Sequence, residues 1–79
     1  DDHIFVFMNN TTSALHINNN INKEILNVDL FNYLGQKIQT WNKNLNNETI
    51  ILPIKVSTGV YIVRIDTING VLNQKIFIE

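Results

Sequence analysis

The chain contains no cysteine among its 79 residues, so it can form neither a disulfide framework nor a thiol active site. Its six basic and seven acidic residues are thinly spread and give a net charge of −1. This charge argues against nucleic-acid binding, which needs a basic stripe to neutralise phosphates. No apolar run approaches the roughly 20 residues that span a bilayer as a helix, and no signal peptide is visible.

Residues that could support catalysis or bind a metal are also scarce. A zinc site at His3 could recruit only Asp1 and Asp2, which are too few ligands of the usual kind, and His16 is expected to face solvent from a strand. Neither an Asp-rich calcium loop nor a Ser–His–Asp arrangement can be found. We therefore expect a non-enzymatic protein with no metal and no cofactor.

What the sequence does contain is isoleucine and asparagine. Isoleucine favours strands, and asparagine suits turns because its side chain bonds the local backbone. An AT-rich genome would enrich both residues without any structural reason, and that explanation stays open. The length allows one domain, over residues 1–79. Because the chain begins without Met on Asp1-Asp2, we expect it to be a fragment of a longer protein.

Apolar alternation, interrupted by frequent turn signals, predicts about seven strands and no helix. This pattern is typical of an all-β, antiparallel Greek-key sandwich of immunoglobulin-like type. The expected strands are Ile4–Met8, Ala14–Asn18, Ile25–Asn32, Gln36–Trp41, Glu48–Leu52, Gly59–Thr67 and Val71–Ile78. The side chains expected to face the core are Leu15, Ile17, Leu26, Val28, Leu30, Ile38, Thr40, Leu72, Ile76 and Ile78.

Two turns and one corner are predicted from local chemistry. Asn32 and Gly35 suit the first and fourth positions of a type I turn that leads into a bulge. Asn69 and Gly70 suit the central positions of a type I′ hairpin, which need positive φ. Tyr61, two residues after Gly59, suits a tyrosine corner, in which the ring is buried and the hydroxyl bonds the preceding chain.

Four segments follow one another in the order of a known family. They are the opening Phe7-Met8-Asn9-Asn10 with the strand Leu15-His16-Ile17, the segment Val28 to Gln36, the corner Val56 to Tyr61, and the terminal strand Lys75 to Glu79. This combination resembles the C-terminal sorting domain of the type IX (Por) secretion system of Bacteroidota, over roughly Phe5 to Glu79. The family usually has Pro-Asn-Pro in the opening segment and Asp where this chain has Asn32, so the chain departs from the pattern at both places.

The resemblance implies a non-catalytic secretion signal that directs an N-terminal cargo in cis to the cell surface or the medium. The domain would fold in the periplasm and be recognised by the outer-membrane translocon, and a sortase-like surface enzyme would cleave upstream of Phe5. An accessible terminal strand could also be captured by strand pairing. The recognition residues that the resemblance implies are Gly59, Tyr61, Lys75, Ile76, Phe77, Ile78 and Glu79.

A carbohydrate-binding or adhesive module of a secreted enzyme is the alternative. Sugar binding on a sandwich face would need several exposed aromatic side chains in a row. Most aromatic residues lie within apolar runs, so we expect only Tyr33 and Trp41 to be available, and Trp41 is better explained as a core anchor.

Overall fold

The computed structural model describes residues 4–79, and within them the chain forms seven strands and no helix. The strands are β1 (Phe5–Asn9), β2 (Ala14–Asn18), β3 (Ile25–Asn32), β4 (Lys37–Trp41), β5 (Thr49–Pro53), β6 (Gly59–Thr67) and β7 (Gly70–Ile78). All seven predicted strands are confirmed, and the ends that differ do so by one residue.

The strands form two antiparallel sheets that pack as a sandwich. One sheet has the order β1-β2-β5 and the other has the order β4-β3-β6-β7. The chain crosses between the sheets after β2, after β4 and after β5, whereas β1–β2, β3–β4 and β6–β7 are hairpins within a sheet. This arrangement confirms the immunoglobulin-like Greek-key sandwich, in which each sheet buries one face.

The core lies between the two sheets and consists of aliphatic side chains from their central strands. Burial of each such side chain stabilises the fold by about 1.5–3 kcal/mol relative to exposure. The largest fully buried side chains are Leu15 and Ile17 of β2, Val28 and Leu30 of β3, and Val63 and Ile65 of β6. Among the residues expected to face inward, Ile76 and Ile78 are also buried, and Leu72 packs against the core.

The start of β3 differs from the expected alternation. Its pairing with β6 shifts register between Ile25 and Asn27, so that Ile25 is buried and Leu26 is 48% exposed. The prediction that Leu26 faces the core is therefore wrong. The physical reason is the period of two, because one extra residue in a strand moves each following side chain to the opposite face.

The same effect overturns the prediction for β4. The register between β3 and β4 shifts between Leu30 and Phe31, and the core-facing residue of β4 becomes Trp41, which pairs with Val28. Ile38 is 44% exposed and Thr40 is exposed, so neither faces the core.

The hairpin between β3 and β4 forms as predicted. Gly35 has a φ of 83° and donates its N–H to the carbonyl of Asn32 (3.0 Å). The side-chain oxygen of Asn32 accepts from the N–H groups of Leu34 (3.0 Å) and Gln36 (2.9 Å). The N–H of Asn32 donates to the carbonyl of Gln36 (3.0 Å), so Asn32 is opposed by both Gly35 and Gln36, which is a type I turn followed by a bulge at a left-handed glycine. One asparagine side chain thus organises the whole hairpin.

The hairpin between β6 and β7 forms with a different turn. Thr67 pairs with Gly70, so the two turn residues are Ile68 and Asn69 rather than Asn69 and Gly70, and neither has positive φ. The predicted type I′ turn is therefore wrong. The hydroxyl of Thr67 accepts from the N–H of Asn69 (3.2 Å) and donates to the carbonyl of Gly70 (3.1 Å). Gly70 instead opens β7 with a φ of 145°, which favours glycine.

An asparagine in the loop after β2 is buried, which the sequence analysis did not anticipate. Asn19 is 3% exposed, and its side chain donates to the carbonyl of Lys23 (2.7 Å) and accepts from the N–H of Lys23 (3.1 Å). Its own N–H donates to the carbonyl of Glu48 (2.7 Å), which ties this loop to the start of β5. The buried amide is thus fully used in closing the loop.

We predict that Asn19→Ala lowers the free energy of unfolding by about 1–3 kcal/mol, because it leaves backbone groups of Lys23 without their partner. Urea unfolding followed by circular dichroism would measure the change. Asn20→Ala is the matched control, since the neighbouring Asn20 is exposed, and we expect a change within about 0.5 kcal/mol. Equal losses in the two variants would contradict the role given to Asn19.

Candidate functional site

Three of the segments that carry the family resemblance lie side by side at one end of the four-stranded sheet. Asn32 at the end of β3 pairs with Tyr61 near the start of β6, and Tyr61 pairs with Ile76 near the end of β7. Gly59 pairs with Ile78. We call this part of the molecule the Tyr61 end. The strand order thus assembles one site from segments far apart in sequence.

Tyr61 forms the predicted tyrosine corner. Its ring is 8% exposed, and its hydroxyl donates to the carbonyl of Ser57 (2.7 Å), four residues earlier. The bond fixes the segment that leads from β5 into β6, while the ring covers the end of the core beside Ile76 and Ile78. The structural role predicted for Tyr61 is therefore confirmed.

The terminal strand has two faces with different properties. Ile76 and Ile78 are buried in the core, whereas Lys75, Phe77 and Glu79 are exposed. A partner that meets the folded domain can touch the second set but not the first. The buried isoleucines instead hold β7 in register against β6.

An apolar patch bracketed by lysines covers the outer face of the sheet at the Tyr61 end. Directly opposed residues on neighbouring strands share a face, so the register identifies its members. Val60 and Phe77 are 40% and 52% exposed, and Phe31 and Ile62 are half-buried. Two cross-strand rows make up this outer patch: Lys37, Phe31, Ile62 and Lys75 in one, and Val60 and Phe77 in the other.

A buried carboxylate lies beside this patch and is satisfied internally. Asp29 is 4% exposed and accepts from the hydroxyl of Thr40 (2.7 Å) and from the side-chain amide of Asn27 (3.1 Å). The ammonium group of Lys37 lies 3.8 Å from the same carboxylate and 5.9 Å from the centroid of the Phe31 ring. Because its partners are all supplied from the sheet, Asp29 is part of the scaffold that positions Lys37.

The opening loop reaches the terminal strand directly. The side-chain amide of Asn10 donates to the carbonyl of Phe77 (3.2 Å), and its oxygen accepts from the N–H of Glu79 (3.0 Å). Asn9 shapes this loop, since its side-chain oxygen accepts from the N–H groups of Thr11 (3.0 Å) and Thr12 (3.3 Å). The first and last segments of the family pattern therefore meet at the Tyr61 end.

Asn10 belongs to the opening segment of the family pattern, but no role was predicted for it from the sequence. The one available signal was that Asn10 stands where the family pattern has its second proline. Its partners lie 67 and 69 residues away, so no local pattern could have identified them.

Candidate catalytic and metal-binding residues do not come together in the described part of the chain. Within residues 4–79 no group of three or more His, Asp or Glu side chains could hold a metal ion. The candidates Asp1, Asp2 and His3 lie outside the described residues. His16 lies on the outer face of its sheet as expected, but it is half-buried because its ring stacks on Phe7, with centroids 4.9 Å apart. Over the same range we find no helix with the length and apolar character to cross a membrane.

The aromatic side chains are more exposed than the sequence suggested, but they do not form one row. Trp41 packs against the core, as expected. Tyr33 is 78% exposed on its hairpin. Phe5 and Phe7 lie half-exposed on the three-stranded sheet, and Phe77 lies on the other sheet, so the expectation that packing would hide them is wrong. The exposed rings are divided among separate surfaces, which does not favour a single sugar-binding face.

A comparison with known families gives a match that spans almost the entire chain. The family model described as a secretion system C-terminal sorting domain matches residues 6–79. The chain belongs to this family. It is the sorting-domain family of type IX secretion, so the resemblance drawn from the four segments is confirmed. Membership of a sorting-signal family suggests a non-catalytic role and implies interaction with the type IX machinery. No curated protein matches the chain.

We predict that Tyr61→Phe lowers the free energy of unfolding by about 0.5–1.5 kcal/mol, because it removes the bond to Ser57 and keeps the ring. Tyr61→Ala should cost about 3–5 kcal/mol, since it also empties the end of the core. Chemical denaturation of both variants would measure the two losses. Tyr33→Phe is the control, as its hydroxyl is on an exposed loop, and an identical effect of the two Tyr→Phe changes would refute the corner.

Proposed function

We propose that this domain is a non-catalytic signal that carries an N-terminal cargo through the type IX outer-membrane translocon. Family membership supports the general role of a C-terminal sorting signal in secretion to the cell surface or the medium. The convergence of the family's segments at the Tyr61 end carries the finer proposal, that this end is what the translocon recognises. The cargo would belong to the same, longer chain, of which residues 1–79 are the sorting domain.

Burial divides the proposed recognition residues of the folded domain into two groups. Lys75, Phe77 and Glu79 are exposed and would contact the translocon. Tyr61, Ile76 and Ile78 are buried and would act indirectly, by holding the terminal strand in its register. Gly59 opens β6 opposite Ile78 and completes the corner.

The outer patch supplies the chemistry for such a contact. Val60 and Phe77 expose apolar surface next to one another, and burying that surface against a partner would be favourable. Lys37 and Lys75 at the two ends of the longer row would orient a partner that carries carboxylates.

The position of β1 supports the arrangement of cargo and signal. Ile4 lines a cavity with Gly70 and Leu72, at the end of the sheet opposite the Tyr61 end, and Asn10 lies beside Glu79. The nine residues of β7 separate these two ends by about 25 Å, at some 3.3 Å per residue. A cargo preceding β1 would therefore leave the Tyr61 end accessible. A sortase-like surface enzyme would cleave in the linker before Phe5, after passage through the periplasm.

The test is to fuse residues 1–79 to a periplasmically targeted fluorescent protein in a bacterium with a working type IX system. We predict that the fusion is exported and that Phe77→Ser lowers its export about five- to tenfold, the loss expected from one half-exposed phenylalanine at a contact. Fluorescence in the medium and on the cell surface, relative to the periplasm, is the measurement.

Phe7→Ser is the matched control, because Phe7 and Phe77 are 53% and 52% exposed on opposite sheets. Its export should stay at the wild-type level. Thermal unfolding of both variants would check that the domain stays folded. Retention of the unmodified fusion in the periplasm would count against the proposed function, and equal export of the two variants would remove the outer patch from it.

A further inference from the structure

The terminal strand has one edge that no strand of the described chain uses. β7 pairs with β6 along one edge, and it is the last strand of the four-stranded sheet. Backbone groups of alternate residues in a strand point to opposite edges. Asn10 binds the carbonyl of Phe77 and the N–H of Glu79, so the odd-numbered residues present their N–H and C=O groups to the free edge.

Asn10 already imitates a strand at this edge. In a parallel ladder, a residue donates to the carbonyl before its opposite residue and accepts from the N–H after it. The side-chain amide of Asn10 does the same around Ile78, from Phe77 to Glu79. The edge groups beside Phe77 are thus able to bind an amide from outside the sheet. The carbonyl of Lys75 accepts from the side-chain amide of Gln74 (3.0 Å), while the outward groups of Val71 and Asn73 meet no such group in residues 4–79.

The side chains at the middle of β7 are exposed, although β1 lies in contact with another part of this strand. Gln74 lies on the same face of β7 as Leu72 and Ile76. Leu72 packs against the core, and Ile76 is buried in it. Gln74 is nevertheless exposed, and its side-chain amide donates to the carbonyl of Lys75 (3.0 Å). The neighbouring Asn73 and Lys75 are exposed as well.

β7 also lacks two features that protect the edge strands β4 and β5 from pairing. β4 has five residues and a register shift, and β5 ends in Pro53, which has no N–H. β7 has nine residues, pairs without a shift, and carries one charged side chain, Lys75. A long and regular edge is a liability in a folded protein unless a partner uses it.

We propose that the free edge of β7, from Val71 to Lys75, binds an extended segment of a protein partner as an additional strand. This inference rests on the proposed function and gives its mode of recognition, with the translocon supplying the segment. The edge presents donors and acceptors that repeat every second residue, about 6.6–6.8 Å apart, and another extended backbone has the same repeat. Main-chain bonds supply the affinity, and the outer patch beside Phe77 supplies contacts for the partner's side chains.

The test removes one N–H of the edge without removing the strand. Asn73→Pro deletes an outward N–H, which an edge strand tolerates, and Asn73→Ala is the reference because it shortens the same side chain and keeps the N–H. In the fusion of residues 1–79 to the fluorescent protein, we expect export of Asn73→Pro to be about tenfold below that of Asn73→Ala, since both a bond and the close approach of the partner are lost. Lys75→Pro and Lys75→Ala form a second pair with the same expectation.

Controls separate the possible outcomes. Gln74→Pro removes an N–H that pairs with β6, and we expect this variant to unfold. Asn73→Pro should keep the thermal transition of the unmodified domain. If Asn73→Pro also unfolds, its N–H is not free and the proposal is overturned. Folded Asn73→Pro exported as well as Asn73→Ala would overturn strand addition and leave the sorting function intact. Absence of export of the unmodified fusion would instead reject the sorting function. A dimer of the purified domain that Asn73→Pro dissociates would show that the edge binds a second copy, and would also overturn the proposal.

Discussion

The structure depends on the position of β6, which is paired along its full length and buried on one face. It pairs with β3 on one side and β7 on the other. Its inward residues Tyr61, Val63 and Ile65 pack against the three-stranded sheet. Because β6 fixes the register of both neighbours, it places the hairpin at Asn32 and the end of β7 at the same end of the sheet. The Tyr61 end exists as a site only because of this shared register.

Alternation gives the terminal strand one face in the core and one face in solvent. Its inward isoleucines secure it to the core, and its outward residues face solvent on the same segment. Loss of the isoleucines would therefore destabilise the fold, while loss of Phe77 would change only the exposed surface. Asn10 adds a third element, because it ties the opening loop to the same strand end by two hydrogen bonds. The family's first and last segments are consequently one physical unit.

The sequence predicted the strands well and parts of the site poorly, for different physical reasons. Strand positions follow from local alternation, and the turn at Asn32 follows from bonds within five residues. The corner at Tyr61 was predicted from Gly59 two residues earlier, and its hydroxyl partner, Ser57, is also local, four residues away. The faces of Leu26 and Ile38 were predicted wrongly, because each lies at a register shift that only pairing with a neighbouring strand produces. The outer patch was missed because its members come from four strands.

The sequence alone determined that this is an all-β sandwich with a tyrosine corner and no cysteine chemistry, because period-two patterning and short-range hydrogen bonds are local properties. Only the tertiary structure decided which apolar residues are exposed and which strand edge is free. It also decided which groups are contacted by the buried Asp29 and by the half-buried Asn10. A one-residue shift of register inverts the faces of a strand, and that shift depends on the neighbouring strand. Contacts across nearly the whole chain, such as that between Asn10 and Glu79, depend on the folded arrangement of both sheets.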